Sequence, residues 1–201
     1  MRIVIGFIIL LLSLPVQATT ISQLEFSELV ESAELVFEGR VLSVDVEQTG
    51  PRSIHTIVRF EIIDLIKGQY PDGEVVLRYL GGRVGERELR VDGMQVPQEG
   101  EHGFYFVESV RETMVHPMVG WSQGHFLIRE TSANTEAVHT ASGEGVSDVH
   151  AVTRPVDAAP AILGHDGTAR GVVIQQQQAP LLSPEQFKTI VRGYLASGAL
   201  P

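Results

Sequence analysis

Along residues 34–48, ELVFEGRVLSVDVEQ, the positions Val41, Ser43 and Asp45 alternate with Leu42, Val44 and Val46. Successive side chains of a strand point to opposite faces, so period-two alternation marks a strand. A turn at Thr49-Gly50-Pro51-Arg52 follows, then a second strand in HTIVRFEIIDLIKG. The segment KGQYPDG reverses the chain into a third strand, EVVLRYL. A short fourth strand is predicted at about 86–92, within GRVGERELRVDG. After a loop from Met94 to His102 comes GFYFVES, aromatic and β-branched, and then SQGHFLIRE at 122–130 as a sixth strand. No crossover helix separates any pair, which predicts an antiparallel sandwich or barrel rather than a parallel α/β sheet.

Two segments carry helical spacing instead. Ser22-Gln23-Leu24-Glu25 has the form of a capping box, and Leu24, Leu29, Val30 and Ala33 follow near helical intervals, predicting a helix over about 23–33. At the other end, Ser183-Pro184-Glu185 reads as a helix start, with Ser as N-cap and Pro in the first helical position. Phe187, Ile190, Val191, Tyr194 and Leu195 form one apolar stripe, predicting a helix over about 184–196 that docks on its own domain or on a partner. Between Thr131 and Leu182 the chain is rich in Ala, Ser, Thr, Gly and Gln and reads as a flexible linker, with one ordered patch at 170–174.

The first residues, MRIVIGFIILLLSLPVQATT, change the picture. A positive start, a short apolar run and Val16-Gln17-Ala18 have the form of a cleaved export signal ending at Ala18. The apolar core is shorter than the ~20 residues that span a bilayer. The expected organisation is therefore signal peptide 1–18, β-barrel domain 19–130, linker 131–182 and C-terminal helix 183–201, in a periplasmic or secreted protein. The chain has no cysteine, so neither disulfides nor a thiolate nucleophile are available. Its net charge of −10, with no basic stripe, argues against nucleic acid and against anionic membrane surfaces.

Gly81, Gly82 and Gly85 raise the question of a phosphate loop. Such a loop needs glycines between a strand and a helix, with helix N–H groups aimed at the anion. Here ERELRV follows and reads as strand, so the cluster is expected to bend the sheet.

Candidate chemistry is sparse. No histidine pair has zinc-protease spacing, and the ordinary role of the seven histidines is at the surface or in a hydrogen bond. His102, His116 and His125 are the ones a fold would have to bring together to bind a metal. Ser109, Ser122 and Ser142 lie in no nucleophile elbow. Glu86 with Glu88 and Glu99 with Glu101 are carboxylate pairs that usually form a solvated face. Trp121, in HPMVGWSQGHF, is either a plug for the barrel end or an exposed binding anchor.

The order LVFEGRV, TIVRFEIIDLIKG, EVVLRYLGG, LRVDGMQVPQEGEHGFYFV and SQGHFLIRE resembles the exported bacterial domains with a TIMP-like or netrin-like OB fold, over about residues 20–130. The resemblance implies a five-stranded Greek-key barrel with flanking helices and a binding role, toward a secreted metalloprotease. Inhibitors of that kind ligate zinc through an N-terminal cysteine. This chain would begin at Thr19-Thr20 and has no cysteine, so that mechanism does not carry over.

The expected fold is thus mainly β, an antiparallel OB-like Greek-key barrel with a short N-terminal and a C-terminal helix. The expected function is an exported, non-enzymatic protein-binding module without cofactor, catalytic or metal residues, whose partner contacts are Trp121, Phe187 and Tyr194. The alternatives are an exported hydrolase, metal-dependent through those histidines, and an envelope structural protein with the tail as spacer.

Overall fold

The computed structural model describes residues 21–150, 162–163, 167–176 and 179–197. The expected signal peptide lies outside them. Among the described residues the chain is mainly β and antiparallel, with two α-helices. A short β1 (Ile21–Ser22) leads into α1 (Phe26–Ser32). The sheet then starts with two 14-residue strands, β2 (Leu35–Gln48) and β3 (Ile54–Lys67), followed by β4 (Glu74–Leu80). A small hairpin, β5 (Gly82–Val84) and β6 (Arg87–Leu89), precedes β7 (His102–Val107). A 3-10 turn at Trp121–Gly124 runs into β8 (His125–Glu130). Then come β9 (Glu136–Thr140), β10 (Val146–Val149), β11 (Ile162–Leu163), β12 (Val172–Ile174) and α2 (Pro184–Ser197).

The main sheet has the order β4-β3-β2-β7-β8-β9. Strands β2, β3 and β4 form a meander, and β7 returns beside β2, which is a Greek key. Among the described residues no ladder joins the outer strands β4 and β9. Register shifts at Val36/Phe37, Glu38/Gly39 and Val41/Ser43 bend β2.

The bent sheet buries both faces. Val36, Phe104, Phe106, Phe126 and Val138 face the two helices, where Phe26 meets Phe187 and Tyr194 at ring distances of 5.8 and 5.4 Å. The alternate residues Phe37, Tyr105 and Val107 face a second core with Val58, Phe60, Leu77 and Tyr79. The strand period thus distributes one sequence over two cores.

Four expectations change. The N-terminal helix starts at Glu25 rather than Ser22, because Ser22 pairs with Ile162 in β1 while the Glu25 N–H donates to the Glu28 carboxylate at 2.8 Å. The sixth strand starts at His125, because Trp121–Gly124 is a 3-10 turn. The fourth strand is shorter than expected and closes a hairpin on β5. The segment from 131 is not linker: β9 extends the main sheet, β10 pairs with β12, and Ala137, Val138, Val146 and Val149 are buried. Residues 151–161 of that expected linker lie outside the described residues.

The glycine cluster is a bend. Gly82 has φ +132°, and a Cβ there would lie 2.6 Å from Val46 Cγ1 and 2.9 Å from Thr56 Oγ1. Only glycine fits that approach. The C-terminal helix forms as predicted, and its cap is reciprocal: the Gln186 N–H donates to Ser183 Oγ at 3.3 Å and the Ser183 N–H to Gln186 Oε1 at 2.9 Å.

Candidate functional site

The structure gathers polar and aromatic groups at the second core. Trp121 sits in the left-handed region, φ +61°, directly after Gly120 at φ +58°. That conformation costs a non-glycine residue about 1–3 kcal/mol and persists only where its surroundings impose it. The half-buried indole stacks on His116, centroids 5.1 Å apart and planes at 13°. Beyond His116, the edge of the pair meets Tyr79, at 5.1 Å and 85°.

A second stack stands nearby. Tyr105 lies against His125 at 5.0 Å and 23°, and His125 Nε2 is 2.9 Å from Glu101 Oε1. The two atoms approach as an ion-pair contact rather than an aligned hydrogen bond, so each is left without a hydrogen-bond partner. The field of Tyr105 and of Glu101 reaches Tyr79, and His125 acts on His116 in the same way.

Burial sets the proton states. It drives Tyr79 well above the usual tyrosine range, with Tyr105 and Glu101 adding to the shift. Tyr105 moves the same way, by burial and then by Glu101. Burial pulls His116 down to about 4. The Met118 N–H donates to His116 Nδ1 at 3.2 Å, which puts the proton of the neutral ring on Nε2. The Gln95 backbone, hydrogen-bonded to the same ring, works against the lowering by burial. Buried titratable groups gathered with shifted proton states mark the place.

The Glu101–His125 pair opens on a groove of about 400 Å³ lined also by Gln95, Gln98, Leu127 and Arg129. His125, Leu127 and Arg129 reach it because alternate β8 residues share a face.

The other candidates lie elsewhere. His102 belongs to the helix-facing side, with Nε2 3.0 Å from Glu38 Oε1 and Nδ1 3.6 Å from Glu136 Oε1. The fold thus brings His116 and His125 into one cluster and leaves His102 out. Among the described residues no group of three or more acidic or histidine side chains is arranged to hold a metal ion. Nor does any serine or threonine hydroxyl among them hydrogen-bond His102, His116 or His125; Ser109, for one, donates to Glu34 at 2.9 Å.

Phe187 is corrected as a partner contact: it is fully buried, packed on Phe104, Phe126 and Phe26. Tyr194 packs on Phe26 and remains half-buried. Of the three expected contacts, Trp121 adjoins the polar cluster. Glu101 entered the sequence reading only as the companion of Glu99, and its link to His125 spans two strands that no local pattern connects.

Comparison with family models, with curated proteins and with solved structures finds no match.

Proposed function

We propose that the chain is an exported, non-enzymatic binding module that holds a protein partner with Trp121 and with the groove at Glu101 and His125. The observation that carries this is Trp121 itself: an aromatic ring fixed in a strained backbone, half-buried, against a buried histidine. Large aromatics held rigidly at the edge of a surface are the residues that dominate protein–protein affinity. A secreted metalloprotease is the partner class that the sequence resemblance favours, and with no cysteine the contact would run through this face rather than through the N-terminus.

The test is capture of exported proteins from the source organism on the immobilised chain. The expected result is one reproducible partner that wild type retains and Trp121→Ala releases. Turnover of a substrate by the purified chain, lost on substituting one polar residue, would overturn the reading.

The Glu101–His125 contact favours a second reading, an exported hydrolase with that pair as its acid–base half. Hydrolysis of ester or peptide probes that His125→Gln abolishes would decide for it.

A further inference from the structure

Resting on that reading, we infer that the groove beside Glu101 and His125 is a seat for a peptide carboxylate, with Arg129 as its anchor. Four observations carry the inference. First, the hollow is of ligand size, about 400 Å³, within the 300–1,000 Å³ usual for small-ligand sites. Second, His125 is only 7 % exposed and lines the hollow, with Nε2 held 2.9 Å from Glu101 Oε1. Third, the Glu101 carboxylate lines the same hollow at the other end of that contact. Fourth, Arg129 lines the hollow, and its guanidinium makes no ion pair among the described residues. Its guanidinium passes over Gly143, where a Cβ would lie 3.0 Å from Nη1.

The chemistry of the lining selects the ligand. A guanidinium presents paired N–H donors that match a carboxylate. Glu101 Oε1 accepts an N–H, and the amides of Gln95 and Gln98 both donate and accept, as a peptide backbone requires. Leu127 gives one apolar wall. A dianionic phosphate fits worse, because Glu101 lines the same hollow and Glu136 lines the adjoining one, which shares Arg129. The carboxylate comes either from a chain terminus or from an acidic side chain.

The test titrates three probes into the isotope-labelled full chain as exported by its host: N-acetyl-alanyl-leucine, its C-terminal amide, and N-acetyl-alanyl-aspartyl amide. Backbone resonances of residues 94–98, 127 and 129 report the site. The expected result is binding of the acid about tenfold tighter than the amide, as for loss of a charge-assisted pair, with the preference abolished in Arg129→Gln. Arg129 is exposed, so this variant folds, and an unchanged spectrum elsewhere verifies it. Binding of the aspartyl amide as tight as the acid assigns the carboxylate to a side chain and sustains the inference. Equal binding of all three probes, retention of the carboxylate preference by Arg129→Gln, or no shift at these residues up to about 10 mM probe overturns it. Overturning it leaves the binding-module reading intact if Trp121-dependent capture persists, so the two fail separately.

Discussion

His116 lies flat against Trp121, with ring centroids 5.1 Å apart and an interplanar angle of 13°. The histidine is 4 % exposed, so the stack joins a solvent-touching ring to the interior of the second core. It also makes the cluster sensitive to acid. His116 has its ordinary value, 6.5, when unfolded and about 4 when folded, chiefly through burial. The unfolded chain then binds more protons between these values, so stability falls as pH drops from about 6.5 to about 4. The loss attributable to this residue is at most about 3 kcal/mol. Denaturant melts across that range are expected to show the slope in the wild type and a flatter one in His116→Phe.

Trp121 is expected to separate binding from stability. Replacing it with glycine removes the stack, worth about 0.5–1.5 kcal/mol, but relieves a left-handed residue of about 1–3 kcal/mol of strain. The two terms oppose each other, so the free energy of unfolding should fall by no more than about 1 kcal/mol, while partner capture is lost. A large drop in stability with capture intact would make Trp121 a plug.

The C-terminal helix is clamped by charge. Lys188 Nζ lies 2.9 Å from Glu38 Oε2, 3.3 Å from Asp64 and 2.6 Å from Glu185. Burial works to lower its basicity, and the three carboxylates together outweigh it and raise it well above ordinary lysine. Truncation to Lys188→Met leaves the buried Glu38 carboxylate with His102 alone, for a cost of about 3 kcal/mol, moderated because Glu185 and Asp64 reach solvent. Adding Glu38→Gln should recover part of that loss, as a double-mutant cycle in urea will show.

Glu38 itself is held below 4.5, first by the hydrogen bond with His102, against burial, and then by Lys188. A depressed carboxylate stabilises above its unfolded value and loses that contribution as pH falls through the folded one. Acid unfolding that begins below about pH 4.5 is expected to weaken in Glu38→Gln, measured by circular dichroism.

Phe187→Ala opens a cavity among four aromatic rings and should cost about 3–5 kcal/mol. Calorimetry would record this as a loss of cooperative stability, in contrast to Trp121→Gly.

Strands of regular alternation were legible in the sequence. The 34–48 segment, the 55–68 segment and the C-terminal helix all form where their periods place them, because period alone separates a wet face from a dry one. Segment 136–149 was not legible. Its strands are five and four residues long, and Ala137 and Val138 are adjacent buried residues that break the alternation. A strand that short forms because β8 is already there to pair with it.

Residue spacing, and the conformational range of single residue types, were enough to dictate the antiparallel, mainly β character, the two helices, the bend at Gly82 and the lack of a local catalytic or phosphate motif. Only the tertiary structure decided which polar residues meet. Glu101 with His125, His116 with Trp121, and Glu38 with Lys188 are separated by tens of residues in two of the three cases and join through strand register, bulges and helix docking. Even the near pair, His116 and Trp121, depends on a left-handed backbone that no propensity favours and that the packed second core holds in place.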